Sequence, residues 1–212
     1  SIVIPTFNRS DILKICVERL FAQVYDKNAY EIIVVNDGST DNTIQILEKL
    51  KQNAPVRFSF ISQENKGQAT ARNLGIKNAM GEIVLIMGND IFAAPNLLHE
   101  HDLVHKRFPE ENQAVLGYIT WDPALPITDL MRFLERGGAI FGKWGGNQNA
   151  FDLLEGKTSA DQGFFYGANI SLKRSLLNRY QYDASFSRYG WEDIDLGIRL
   201  FRDENLALHY NK

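Results

Sequence analysis

The sequence predicts an α/β fold with a mainly parallel central sheet and helices on both faces. Three observations carry that expectation. Apolar runs of strand length alternate with stretches of helical spacing as far as residue 108, and parallel strands need helical crossovers of this kind. Two of the runs lead straight into acidic residues, Ile32–Val35 into Asp37 and Ile83–Met87 into Asp90. In an open α/β sheet, ligands bind just past the carboxyl ends of the strands. Finally, 212 residues with 44% hydrophobic and 23% charged content match one globular domain able to bury a sizeable core.

The strand-like runs are Ile2–Pro5, Tyr30–Asn36, Val56–Ser62 and Glu82–Met87, and the helical patterns between them are Asp11–Gln23, Thr43–Lys51 and Gln68–Asn78. Ile12, Ile15, Cys16 and Leu20 share helical spacing, so the single cysteine reads as a packed thiol, and it leaves no partner for an internal disulfide. Ser39-Thr40-Asp41-Asn42 supplies cap-type residues before the second helix, and Pro95 suits the first turn of a further helix running to Phe108. Beyond that point the pattern is less regular. Ala114–Ile119 reads as a strand, Ile127–Glu135 has helical spacing, and Gly137–Gly156 is a Gly- and Asn-rich loop. A loop of that length is usually functional, and with Trp144 it is expected to cover the site and exclude water. Phe164–Leu172 reads as a strand, Lys173–Tyr180 as a short helix and Asp195–Asp203 as another, with a last strand before Lys212. The chain opens inside an apolar strand without an initiator Met. It is therefore read as a single domain excised from a longer protein.

Several function classes are disfavoured. A net charge of −3 offers no footprint for nucleic acid, and no apolar run reaches membrane-spanning length. No signal peptide is visible. The phosphate-loop and dinucleotide glycine patterns are both missing. His101 and His105 share a helix face, but Asp102 stands where a zinc-protease helix carries Glu. That pair reads as a solvated surface.

Four stretches carry candidate chemistry. In Asn36-Asp37-Gly38-Ser39 the sharp turn exposes an Asp able to hydrogen-bond a base or ribose; the alternative is a plain turn capped by Asp41. In Asn65–Asn73, Lys66 and Gly67 end a loop and Arg72 lies on the first turns of a helix, which suits a diphosphate. Gly88-Asn89-Asp90 offers one carboxylate and one amide, enough for Mg²⁺ or Mn²⁺ held mainly by substrate phosphates. Trp191-Glu192-Asp193-Ile194-Asp195 crowds acids at a helix start. These either complement the helix dipole or provide a general base, ionised at neutral pH, beside an aromatic platform for a sugar.

Together these segments resemble the family 2 glycosyltransferases, which have the GT-A fold. The matching stretches are Ile4-Pro5-Thr6-Phe7-Asn8-Arg9, Val35–Asp41, Asn65-Lys66-Gly67 through Arg72-Asn73, Gly81-Glu82 through Asp90, and Trp191-Glu192-Asp193 with Arg199-Leu200. They run in the family's order across nearly the whole chain. The resemblance implies an inverting transfer from a nucleotide-sugar donor to a glycan or lipid-linked acceptor in cell-surface polysaccharide synthesis, in the cytoplasm or at the inner face of the membrane. UDP is the expected nucleotide, with GDP and dTDP open. It implies that Pro5, Thr6, Asn8 and Asp37 border the nucleoside, that Lys66, Gly67 and Arg72 flank the donor, and that Asn89 and Trp191 contact substrate. Asp90 would ligate Mn²⁺ or Mg²⁺. Asp193 would be the base, with Glu192 accepting or orienting beside it. Gly88 departs from the family's Asp-x-Asp pattern by replacing its first Asp. A metal-binding His often follows the last strand in this family, and His209 lies too early to match it. Two other readings compete. A nucleotidyltransferase would carry a Gly-rich cationic loop after the first strand, unlike Pro5–Arg9. A nucleotide- and sugar-binding module without catalysis is motivated by Gly88.

Overall fold

The computed structural model describes residues 1–136, 151–186 and 190–212. Its first half follows the expected alternation: β1 (Ile2–Thr6), α1 (Ser10–Phe21), β2 (Glu31–Asn36), α2 (Thr43–Gln52), β3 (Arg57–Ser62), α3 (Gln68–Asn78), β4 (Ile83–Met87) and α4 (Leu97–Arg107). Then come β5 (Gln113–Gly117), α5 (Asp129–Arg136), β6 (Ser159–Ala160), β7 (Asn169–Lys173), α6 (Arg174–Arg179), α7 (Glu192–Glu204) and β8 (Ala207–Asn211).

One sheet of order β3-β2-β1-β4-β7-β5-β8-β6 runs through the molecule. β1 to β4 are parallel, and β7 inserts antiparallel between β4 and β5. That insertion matters for the site, because it brings the start of β7 beside the carboxyl end of β4, where Met87 pairs with Asn169. Alternation along the strands sorts the core into two layers. Ile2, Ile4, Ile32 and Val34 face α1, α2 and α4, whereas Val3, Ile33, Val84 and Ile86 face α3, α6 and α7. Cys16 is buried in the first layer, as its spacing indicates, and burial pushes its thiol up to about 12, so it is an inert packed group. No helix among the described residues is long and apolar enough to cross a membrane.

Three expectations are corrected. The run Phe164–Leu172 is not one strand. Residues Gln162–Phe164 form a 3₁₀ turn whose Gly163 N–H donates to Asp161 Oδ1, and β7 begins only at Asn169. The chain bends there because Phe165 turns inward onto α7, so close to Gly197 that a Cβ would stand 2.6 Å from the Phe165 Cβ. The helix expected to begin at Asp195 begins at Glu192, so the acidic residues occupy its first turn. The third correction concerns His101 and His105, which are buried rather than solvated. His101 Nε2 faces the Asn169 side-chain carbonyl at 3.1 Å, Ser171 Oγ lies 2.7 Å from His101 Nδ1, and His105 Nε2 lies 2.8 Å from the same hydroxyl. An amide oxygen only accepts, so His101 carries its proton on Nε2, Ser171 donates to His101 and His105 donates to Ser171. Burial drives both imidazoles down to about 4, consistent with neutral rings. Polar partners on β7, which periodicity does not register, turned this face inward. Of the Gly137–Gly156 loop, residues 137–150, including Trp144, lie outside the described residues.

α3 reaches the sheet through Gly75, where a Cβ would overlap Val3 Cγ1 and stand 3.2 Å from Val35 Cγ2. Gly75→Ala is therefore expected to lower stability by about 1–3 kcal/mol through overpacking, read from urea unfolding midpoints at unchanged slope.

Candidate active site

Loops past the carboxyl ends of β1, β2 and β4 are tied to one another. The Asp37 N–H donates to Thr6 O, and Asn89 Nδ2 donates 2.8 Å to Thr6 Oγ1. Asn8, at φ 52°, accepts the Thr40 N–H on its side-chain oxygen at 2.7 Å, while its own N–H donates to Ser39 Oγ. Pro5 and Thr6 are buried beneath these turns. Asp37 is buried as well. Its Oδ1 accepts from Gln63 Nε2 and the Lys66 N–H, and its Oδ2 accepts from the Gly67 N–H. The carboxylate thus shapes the turn that opens α3. Gly67 adopts φ 88°, which favours glycine. Lys66 stays exposed at the mouth.

α3 then carries Arg72 inward instead of toward solvent. Its guanidinium is 2% exposed and bridges the two acids of α7. Nη1 donates 3.0 Å to Glu192 Oε1 and 2.8 Å to Asp193 Oδ1, and Nη2 donates to the Gly167 carbonyl. Arg72 was expected beside the donor; the structure gives it to the acidic pair. Glu192 is sealed in, its second oxygen accepting the Gly190 N–H. The side chain of Asp193 keeps 22% exposure against 3% for Glu192. Gly167 touches this cluster so closely that a Cβ would overlap Asp193 Oδ1 and stand 2.8 Å from Arg72 Cζ.

One cation facing two anions leaves the cluster a net negative charge. Burial raises the Asp193 pKa above the ordinary aspartate value; Arg72 pulls it down and Glu192 pushes it up again. The helix dipole alone suggested a carboxylate ionised at neutral pH; it takes no account of desolvation. Trp191, just ahead of the pair, has φ 73° and leaves 75% of its surface in solvent.

Asp90 and Asp193 lie on the same edge of the sheet, linked through the turn before β7: the Gly88 N–H donates to Ala168 O, next to Gly167. Asp90 is exposed and its Oδ2 accepts from Arg9 Nη1 at 2.9 Å. Its Oδ1 leans over Gly88, where a Cβ would stand only 2.8 Å away. Among the described residues no three His, Cys, Asp or Glu side chains gather as a metal cage. The donor set instead fits a cation carried in on a diphosphate, for which one accessible carboxylate suffices. His209 is committed elsewhere, with Nε2 at 2.6 Å from Gln113 Oε1.

Sequence reasoning missed Tyr182, Gly167 and Arg9. Tyr182 is buried with its ring 5.1 Å from Arg72 Cζ, yet sits in an irregular stretch without periodicity. Gly167 had one usable signal, a glycine just ahead of a strand where another chain segment comes close.

The model of the Glycosyl transferase family 2 matches residues 1–107. The uncharacterized glycosyltransferase YfnE of Bacillus subtilis is 29% identical over 94% of this chain and 59% of its own length. The S. aureus TarS 1–349 structure in complex with UDP superposes with TM-score 0.69 and 18% identity over 99% of this chain and 59% of that one. The mannosyltransferase PcManGT from Pyrobaculum calidifontis, in complex with GDP-Man and Mn²⁺, gives TM-score 0.69 and 20% identity over 99% of this chain and 55% of its own. The fold is thus GT-A, and the chain spans less than two thirds of each of these proteins.

Arg72→Gln leaves two carboxylates sharing a buried site without their cation. A loss of about 3–5 kcal/mol at neutral pH is expected. The loss shrinks on acidification: in this variant the folded pKa values lie above the unfolded ones, so stability is regained as pH falls through them. Denaturant titrations across pH read both effects.

Proposed function

Because the chain belongs to the Glycosyl transferase family 2, we propose that it moves a sugar from a nucleoside-diphosphate donor, a UDP-sugar first, to an acceptor hydroxyl with inversion. The observation that carries this reading is Asp193. It is the more open acid of a buried pair, its pKa is raised by burial, and it shares the sheet edge with Asp90. A base works best when its pKa approaches the working pH.

In this mechanism Asp193 takes the acceptor proton while the freed oxygen attacks the anomeric carbon. The bond from that carbon to the diphosphate oxygen breaks on the opposite face, and its electrons leave with the nucleoside diphosphate. Glu192 orients the cluster through Arg72 and the Gly190 N–H. The Lys66 ammonium and the first N–H groups of α3 meet the departing charge, with Gly67 shaping the turn between them. Pro5, Thr6, Asn8 and Asn89 border the nucleoside end, with Asp37 holding their loop. Mn²⁺ or Mg²⁺, held by Asp90 and the donor phosphates, would supply further charge stabilisation at the leaving group. TarS with UDP and PcManGT with GDP-Man and Mn²⁺ support the donor class and the metal. Trp191 beside the base supports a sugar ring as acceptor, on a free or lipid-linked glycan. Residues 1–90 then serve the donor and 91–212 the acceptor. A second reading, a binding module without transfer, is favoured by one observation: Arg9 already pairs with the single carboxylate at the metal position.

Asp193→Asn is expected to cut transfer by about 10²–10⁴-fold while UDP affinity by calorimetry stays unchanged. A wild-type chain that binds UDP with Mn²⁺ but neither transfers nor hydrolyses any of a panel of nucleotide sugars would establish the module reading. For the active enzyme, the acid limb of kcat/KM should sit above the ordinary aspartate range, since activity falls as the raised Asp193 pKa is crossed from above. Mn²⁺ titrated alone should give little heat, with saturable binding once UDP is present and its loss in Asp90→Asn.

A further inference from the structure

We infer that Tyr182 and Asn73 are positioning residues for the acidic pair, holding Arg72 across both carboxylates so that Asp193 keeps its share of the positive charge. The inference depends on the reading of Asp193 as base.

Asn73 follows Arg72 on α3 and grips residue 182 by both backbone polar groups. Its Nδ2 donates 2.8 Å to the Tyr182 carbonyl, and the Tyr182 N–H donates 2.9 Å to its Oδ1. A side-chain amide thus replaces the pairing a strand would give, in a segment that has no strand. The clamp sets the Tyr182 ring against the Arg72 guanidinium, 5.1 Å from Cζ, a contact typical of a planar cation on an aromatic face. Arg72 is therefore held on two sides. Its nitrogens meet Glu192, Asp193 and the Gly167 carbonyl, and its Cζ stands over the ring. Arg72 Nε is buried without a hydrogen-bond partner among the described residues, and the Tyr182 hydroxyl faces the Asp193 carboxyl, helping to hold its pKa down. Remove the ring and the guanidinium gains room to tilt away from Asp193, the acid with solvent on its other side.

The consequence is electrostatic. The groups facing Asp193 among the described residues are Arg72 from α3, Tyr182 from the connection after α6, Glu192 beside it on α7 and the Gly167 N–H before β7. Only Arg72 is cationic. Loosening its contact leaves burial and Glu192 opposed only by the Gly167 N–H and the Tyr182 side chain, so the Asp193 carboxyl holds its proton to higher pH.

The test is the pH profile of kcat/KM for Tyr182→Leu, Tyr182→Phe and Asn73→Ala, with donor KM and UDP affinity measured alongside. Tyr182→Leu and Asn73→Ala should move the acid limb upward by about one pH unit, roughly tenfold less kcat/KM below the limb, with donor KM unchanged. Tyr182→Phe keeps the ring but loses the hydroxyl that faces Asp193, so its limb should move less than that of Tyr182→Leu. A limb that stays in place in both Tyr182→Leu and Asn73→Ala, or that moves in Tyr182→Phe as far as in Tyr182→Leu, overturns the inference. Asn73→Ala spares the buried ring and serves if Tyr182→Leu does not fold. If Asp193→Asn itself retains transfer, the base assignment is what fails, and this inference falls with it.

Discussion

A single buried guanidinium organises the functional end of this molecule. Arg72 leaves α3, crosses beneath the sheet edge and meets α7 at Glu192 and Asp193, more than a hundred residues further along the chain. A buried charge without partners is prohibitively unfavourable, so α3 and α7 are held in one relative placement whenever the chain is folded. Around that contact the neighbours have little freedom. Gly167 has no room for a side chain, Phe165 packs against Gly197, and the Tyr182 ring sits 5.1 Å from Arg72 Cζ.

The same contact joins the two halves of the site. On one side the β1, β2 and β4 loops are stitched by Asn8, Thr6, Asp37 and Asn89. On the other, β7 enters antiparallel and places the turn at Gly167 and Ala168 against Gly88. The β1, β2 and β4 loops and the acidic pair of α7 therefore share one end of one sheet. The reacting atoms have to meet within a few ångströms, and rigid elements fix that distance better than loops do.

Much of this was legible in the sequence. The continuous apolar runs at Ile32–Val35 and Ile83–Met87 identified strands, and Asp37 and Asp90 were read at their carboxyl ends, because both signals are local. Long-range partners were not legible. Arg72 read as a cation for the donor diphosphate, since nothing in its neighbourhood announces Glu192 and Asp193. His101 and His105 looked like surface for the same reason, as Asn169 and Ser171 lie on a strand brought beside them only by the fold. Asp37 was expected at a ligand, yet three of its own chain's donors occupy it. Periodicity reports which face is apolar; it does not report which polar groups will find each other.

Trp191 is expensive for the chain to keep. Left-handed backbone disfavours any residue with a Cβ by roughly 1–2 kcal/mol, and its indole gains almost nothing from burial. Heat-tolerance engineering that scores positions on the isolated chain would choose this residue among the first for replacement by glycine. Such a redesign would yield a sturdier scaffold with its most prominent surface contact removed.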